Sequence, residues 1–324
     1  MKTRVLGNSE RSVSEIGLGC WQLGADWGTV SDKDALEILE SAIDCGIRFL
    51  DTADVYGAGR SERMIGQFIR RRSEELFIAT KVGRQNYPGP YTAPLIRQHI
   101  CESIDRLGVE SLDLLQLHCI PTEVMSNGEI FDWLRNFKRE GLIKNFGASV
   151  ESMEAALLVL KQADVTSLQI IFNLFRQKPI HTLFEKASAQ GVGIIVRLPL
   201  ASGVLSGKFT IDTQFAADDH RNYNRDGDAF NVGETFAGLP FELAVELATQ
   251  IKPMVPLGLT MAQFAQRWIL DHDAVTTMIT GASRPSQVKS NAVVSDLPKL
   301  SSQIHQQMAS FYNEKVHEHI RGVY

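Results

Sequence analysis

The chain has 324 residues, 44% of them hydrophobic and 22% charged, with a formal net charge of -5. This is the profile of a soluble globular protein with enough chain to bury a large core, and the lack of a basic tract argues against a nucleic-acid partner. No apolar run is long enough to span a membrane, and the opening MKTRVLGNSERSVSEIG lacks the apolar centre of a secretion signal, so the expected location is cytoplasmic.

The first 15 residues, with Gly7-Asn8-Ser9 in the middle, predict a small hairpin. From residue 16 short apolar runs alternate with helix-like segments. The runs are EIGLGCW (15–21), IRFLDT (47–52), LFIATKV (76–82), LDLLQLH (112–118), IKNFGAS (143–149), SLQIIFN (167–173), VGIIVRLPL (192–200) and VTTMITGA (275–282). Several are almost continuously apolar, as parallel strands covered on both faces should be. Between the first two, Ser31 and Asp34 resemble a capping box, and Ala35, Leu36, Ile38, Leu39, Ala42 and Ile43 follow at helical spacing up to Gly46. Met64, Ile65, Phe68 and Ile69 form a second helical face, ended by the arginines at 70–72, which suit a helix C-terminus. Leu95, Ile96, Ile100, Ile104 and Leu107 form a third, closed by Gly108. Further helices are predicted over 128–140, 151–162, 180–190, 260–271 and 285–294, with a terminal helix from Leu300 to about His319.

Eight strand–helix units predict one α/β domain over residues 1–324, a (β/α)8 TIM barrel with a short N-terminal hairpin and a C-terminal helix. A doubly wound sheet is the rival, but no GxGxxG follows the first strand and no composition break divides the chain. The polar stretch 208–236 after the seventh strand is too long for an ordinary connection and is expected to be a functional loop or lid. The four cysteines, Cys20, Cys45, Cys101 and Cys119, show no CxxC spacing and are expected as free thiols, with no metal site.

Chemistry in such barrels sits at the C-terminal ends of the strands. Asp51, Lys81, His118, Ser149 and Arg197 fall there, and Tyr56 lies on the loop after the second strand. Singly, each has an ordinary reading: a turn or cap aspartate, a packed tyrosine, a solvated lysine, a structural histidine. Together, Asp51, Tyr56, Lys81 and His118 suit reduction of a carbonyl, whose oxygen gains negative charge and must take a proton. Tyrosine can give one, a neighbouring lysine lowers its pKa, aspartate keeps the buried lysine charged, and histidine orients the oxygen.

DTADVYG, IATKVG, LDLLQLH, PLASGVLSGK and GASRPSQ resemble the aldo-keto reductase superfamily, over nearly the whole chain from GLGCW at 17–21 to SNAVV at 290–294. The branch most similar holds potassium-channel β-subunits and bacterial general-stress or sugar-oxidising reductases. The resemblance implies a barrel that binds NADP(H) without a Rossmann domain, Tyr56 as proton donor, and Asp51, Lys81 and His118 in support. It implies Ser149 and Gln169 at the nicotinamide carboxamide, with Gly19, Cys20 and Trp21 against the nicotinamide end, and Asp51 among the cofactor contacts. Arg197 stands where many members stack an aromatic ring. Leu198, Pro199, Leu200, Ala201, Ser202 and Gly203 match the loop around the pyrophosphate, followed by Lys208, with Arg221 of the long loop in reach of a phosphate. Gly281, Ser283 and Arg284 match the turn holding the 2′-phosphate, with Gln287 and Asn291 near the adenine.

There are departures. GASV replaces the family's usual GxSN, so Val150 offers no side-chain amide to the carboxamide; Thr280 replaces a common proline, and Cys119 follows the histidine. Trp21, Trp27, Tyr87 and Phe230 are candidate walls of a substrate pocket around Tyr56 and His118. The expected substrate is a small carbonyl compound or sugar, reduced or, in reverse, oxidised. Two other readings stay open: a nicotinamide-binding regulatory subunit with slow turnover, and a Schiff-base aldolase or phosphate-binding lyase using Lys81. The last is disfavoured, because a carboxylate partner keeps that lysine protonated. Neither the physiological substrate nor the oligomeric state is written in the sequence.

Overall fold

The computed structural model describes residues 1–24 and 30–324. The chain opens with a hairpin, β1 (Thr3–Val5) antiparallel to β2 (Ser12–Ser14). The eight apolar runs then become β3 (Ile16–Gly19), β4 (Phe49–Asp51), β5 (Phe77–Val82), β6 (Leu114–His118), β7 (Phe146–Ser149), β8 (Ser167–Ile171), β9 (Gly193–Arg197) and β10 (Val275–Gly281). They pair in parallel and close in the order β10-β3-β4-β5-β6-β7-β8-β9. This is the expected (β/α)8 TIM barrel, with the hairpin outside the barrel count.

Helices separate the strands: α1 (Asp32–Asp44), α2 (Arg60–Ile69), α3 (Ala93–Leu107), α4 (Thr122–Ser126), α5 (Glu129–Arg139), α6 (Met153–Val159), α7 (Pro179–Thr182), α8 (Phe184–Ala189), α9 (His220–Tyr223), α10 (Phe241–Ile251), α11 (Met261–Leu270), α12 (Pro285–Ala292) and α13 (Ser302–Phe311). Local chemistry sets their ends. Ser31 Oγ accepts from the Asp34 amide at 3.1 Å at the start of α1, and Thr260 with Gln263 forms a capping box on α11. The apolar stripes face the strands; on α1 they comprise Ala35, Ile38, Leu39, Ala42 and Ile43, all buried.

Four expected boundaries move. The 180–190 segment is two short helices that meet at Leu183, whose non-helical backbone accompanies a side chain buried in the core. The 151–162 helix is α6 alone, capped by Ser152. The terminal segment is α-helical only to Phe311, then a wide turn over Tyr312–Val316 and a tight one over His317–His319. The 208–236 stretch is irregular apart from α9 and a turn over Val232–Glu234. Three helices, α4, α9 and α10, were not anticipated.

A large apolar layer lies between strands and helices. A second fills the lower barrel: Phe49, Phe77, Ala79, Leu114, Ile195 and Ile279 meet Leu6 and Val13 of the hairpin. Phe49 and Phe77 stack with ring centroids 5.7 Å apart. The hairpin is thus a floor under the N-terminal ends of the strands. Its turn requires Gly7, at φ +51°, because a Cβ there would lie 2.1 Å from the Thr166 carbonyl oxygen.

Candidate active site

Strand register assembles the site at the opposite end. Asp51 sits beside Gly19 and Ala79, Lys81 beside Gln116, His118 beside Ser149, and Ser149 beside Gln169. Lys81 is buried, and its ammonium has three acceptors: an Asp51 carboxylate oxygen, the Thr52 carbonyl at 2.8 Å and the Tyr56 hydroxyl at 3.2 Å. The other Asp51 oxygen accepts from Gln169 Nε2 at 2.7 Å and Gln116 Nε2 at 3.2 Å. Gln116 was not anticipated as a site residue, although a glutamine inside the buried run LLQLH was a usable signal.

Tyr56 is brought over the mouth by a constrained turn. Gly57 has φ +56°, and a Cβ on it would lie 2.2 Å from the Gly24 carbonyl oxygen. Ser61 Oγ ties the loop to β3, donating to the Cys20 carbonyl at 2.8 Å and accepting from Thr52 Oγ1 at 2.8 Å. The Tyr56 ring stacks on Trp21 with centroids 5.8 Å apart and meets His118 edge-on at 5.7 Å.

Burial dominates the electrostatics. It pushes the Tyr56 pKa up to about 12; Lys81 opposes this but does not win. The sequence-based expectation of a lowered tyrosine pKa is therefore corrected: the lysine pulls downward, and desolvation outweighs it. Burial alone would lower the Lys81 pKa, but Asp51 and Tyr56 raise it above the ordinary lysine value. Burial, then Lys81, Arg84 and Arg197, hold His118 well below the usual histidine range, so its ring is neutral. Desolvation also pushes the Cys119 thiol up to about 11.

These groups open into a cleft of about 680 Å³ across the barrel mouth. Of the anticipated residues it is lined by Gly19, Cys20, Trp21, Asp51, Tyr56, His118, Ser149, Gln169, Arg197, Leu198, Pro199, Leu200, Ser202, Gly203, Lys208, Arg221, Gly281, Ser283, Arg284, Gln287 and Asn291. Lys81 lies beneath this surface. Ala201 is wholly buried and turned away from the cleft, and Tyr87 is 56% exposed with its ring against Arg84, off the cleft. Trp27 lies outside the described residues.

Arg197 is not an open stacking surface alone. Its guanidinium pairs with Glu234 of the long loop and donates to the Val150 carbonyl at 3.2 Å. The backbone beyond it is left-handed at Leu198, Ala201, Ser202 and Gly203. Ser202 Oγ donates to the Glu234 carbonyl at 3.0 Å, so the loop is fastened to the pocket wall twice. Arg221 is held by Asp219, with Nε 2.9 Å from Oδ1, and lies over the Phe215 ring. At the far end Gln287 accepts from the Ser283 amide at 2.7 Å, and Asn291 accepts from Gln266 Nε2 at 2.9 Å. Gln266 Oε1 is buried with no partner among the described residues. Arg84, Glu234 and Gln266 were missed; Gln266, a polar residue on the apolar face of α11, was the readable one. Ligand atoms of Cys119, Glu151 and Glu234 lie within 4.8 Å of one another, but Arg84 faces Glu151 at 3.6 Å and Arg197 pairs with Glu234, so arginines already balance both carboxylates.

Known proteins resemble the chain over nearly its whole length. The model of the aldo/keto reductase family matches residues 15–313. The uncharacterized oxidoreductase YqkF of Bacillus subtilis is 29% identical over 311 residues, with 94% of each chain covered. A probable voltage-gated potassium channel subunit beta of Arabidopsis thaliana is 30% identical over 332 residues, again with 94% of each covered. The structure of the glycerol dehydrogenase AKR11B4 from Gluconobacter oxydans superposes with a TM-score of 0.80 at 25% identity, covering 99% of this chain and 98% of that one.

Proposed function

The chain belongs to the aldo/keto reductase family, and on that premise we propose that it is an NADP(H)-dependent oxidoreductase that reduces aldehydes and ketones and, in reverse, oxidises alcohols or sugars. The observation that carries this reading is Lys81 clasped between Asp51 and the Tyr56 hydroxyl, with a neutral His118 ring against the same tyrosine.

The residues present fit a nicotinamide dinucleotide. Ser149 and Gln169, on adjacent strands, offer a hydroxyl and an amide oxygen at the floor of the cleft. The left-handed turn around Ser202 and Gly203 offers backbone N–H groups to a pyrophosphate. Arg284 is exposed at the start of α12, and Lys208 is exposed on the neighbouring rim; the two cations favour a 2′-phosphate. Gln266 Oε1, without a partner among the described residues, suits an exocyclic amine such as that of adenine.

When bound, the cofactor supplies hydride to the carbonyl carbon. The chain supplies the proton and the geometry. Tyr56 remains protonated at neutral pH and donates to the oxygen as negative charge builds there; a pKa near 12 still makes it a far stronger acid than an alcohol. Lys81 stabilises the phenolate left behind, and Asp51 keeps Lys81 charged. His118 is neutral, so it can direct an N–H at the oxygen without adding a buried charge. Trp21 and Phe230, whose rings are 6.3 Å apart, wall the cleft.

Purified protein is expected to oxidise NADPH with a general aldehyde such as 4-nitrobenzaldehyde. Tyr56→Phe should reduce turnover by roughly 10²–10⁴-fold while NADPH still quenches protein fluorescence. Full activity in Tyr56→Phe sinks the assignment. Tight nucleotide binding with no turnover on any aldehyde, ketone or sugar favours the regulatory-subunit reading instead.

A further inference from the structure

The long loop is held on two sides. Facing the cleft, Glu234 pairs with Arg197. Facing away, it is held by residues 321–324, none of which lines the cleft. Arg321 Nη1 pairs with Asp226 at 2.7 Å, Nε donates to the Gly238 carbonyl at 3.0 Å, and Nη2 donates to the Arg225 carbonyl at 3.2 Å. Gly322 packs so closely on Val232 that a Cβ would lie 2.6 Å from its side chain. The chain then turns onto the loop after β8. The Val323 carbonyl accepts from Arg176 Nη2 at 2.9 Å. The Tyr324 hydroxyl accepts from the Lys178 amide at 2.8 Å, and its ring lies 4.2 Å from the Arg176 guanidinium.

Arg176 makes this docking costly to maintain. It is 1% exposed, pairs with no carboxylate among the described residues, and its Nε and Nη1 have no hydrogen-bond partner. The long loop presses on it directly, since a Cβ on Gly233 would lie 2.0 Å from Nη1. Burying an uncompensated guanidinium is costly, and the bonds to Val323 and Tyr324 offset that cost only while the tail stays in place. Undocking returns the cation to water. A short segment held by a few hydrogen bonds and one ring contact can open locally without disturbing the barrel.

We propose that residues 321–324 form a strap that holds segment 225–239 over the cleft, and that release of the strap sets how fast a bound dinucleotide leaves. The second half rests on the cofactor reading above. The strap acts through the loop, so Arg321 and Tyr324 are positioning residues.

Two variants test it: a chain lacking residues 321–324, and Arg321→Gln, which keeps the full length should the truncation fail to fold. Hydrogen exchange on the nucleotide-free protein is expected to quicken roughly tenfold over 225–239, with β5 and β6 as protected as before. Stopped-flow release of NADPH is expected to quicken by a similar factor. Unchanged exchange over 225–239 in a folded variant overturns the strap, and so does faster exchange with unchanged release. If the parent protein binds neither NADPH nor NADH, the cofactor reading falls, while the exchange result still decides whether the tail holds the loop.

Discussion

The Lys81 ammonium lies 3.2 Å from the Tyr56 hydroxyl and on the Asp51 carboxylate; Lys81 and Asp51 are buried and Tyr56 is half-buried. A buried charge pair is far more sensitive to loss of one partner than to loss of both. Lys81→Met leaves the Asp51 carboxylate with only Gln169 and Gln116, and is expected to cost roughly 3–5 kcal/mol. Adding Asp51→Asn should restore much of that loss, though not activity. Urea unfolding of the two variants measures the difference. A single variant as stable as the double would show that the pair does not govern stability.

Asp54, two residues before Tyr56, is expected to make the fold pH-dependent. It is buried, its carboxylate oxygens have no hydrogen-bond partner among the described residues, and His99 Nδ1 stands 3.8 Å away. Burial, then the nearby charge of Glu62, push its pKa up to about 7, against Arg106 and Lys81. Between about pH 4 and 7 the folded state therefore holds a proton that the unfolded chain has lost, so this group's contribution to stability declines as pH rises through that window. Asp54→Asn should flatten the slope and be the more stable protein at pH 8, by on the order of 4 kcal/mol at most. Parallel slopes for parent and variant in thermal melts from pH 4 to 8 would rule this out.

Two glycines separate backbone strain from crowding. Gly258 has φ +89°, and a Cβ added there would meet nothing within 4 Å, so Gly258→Ala should cost only about 1 kcal/mol. Gly57→Ala meets the Gly24 carbonyl as well and must shift the Tyr56 loop. It is expected to cost more and to lower kcat by more than roughly tenfold, because a misplacement near 1 Å at a reacting group has an effect of that order or larger. Equal stability and equal kcat in the two variants would mean the loop yields freely.

Arg284 is expected to decide between the two nicotinamide cofactors. Arg284→Ala should weaken NADPH binding by roughly tenfold to a hundredfold, the worth of a hydrogen bond to a charged group, and leave NADH binding unchanged. Fluorescence titrations with both nucleotides read this directly. A parallel loss for both would place Arg284 away from the 2′-phosphate.

The barrel was legible because its strands are short, nearly continuous apolar runs punctuated by caps such as Ser31 and Gly108, and counting them suffices. The four central residues were legible because each falls at a strand end or on the loop after one. What could not be read was pairing over long separations. Glu62 looks like an exposed residue in a helix's first turn; it is buried, because Arg106, 44 residues later, reaches it from α3 at 2.7 Å. Asp54 reads in sequence as a loop or cap residue; it is buried because the loop folds under α3, with His99 Nδ1 3.8 Å away. Arg197 and Glu234 are both ordinary in sequence, and only the fold of the long loop joins them. The balance of forces on Tyr56 was misjudged too: a neighbouring lysine is visible in sequence, but the depth of burial that outweighs it is not. The helix α10 was readable, since Phe241, Ala244, Val245, Leu247, Ala248 and Ile251 keep helical spacing and are all buried.

The hairpin floor carries a consequence for the order of events. With Leu6 and Val13 packed against Phe49, Phe77, Ile195 and Ile279, the barrel is plugged at its lower end, and among the described residues the cleft opens at the other. Two guests that must lie one above the other in such a space cannot come and go independently. On the cofactor reading proposed above, a dinucleotide seated deeper than the substrate would be first in and last out, and the carbonyl compound or alcohol would visit in between. Product-inhibition patterns should accordingly be those of an obligatory sequence, a kinetic rule imposed by three residues of β-ribbon on either side of a turn at the far end of the molecule.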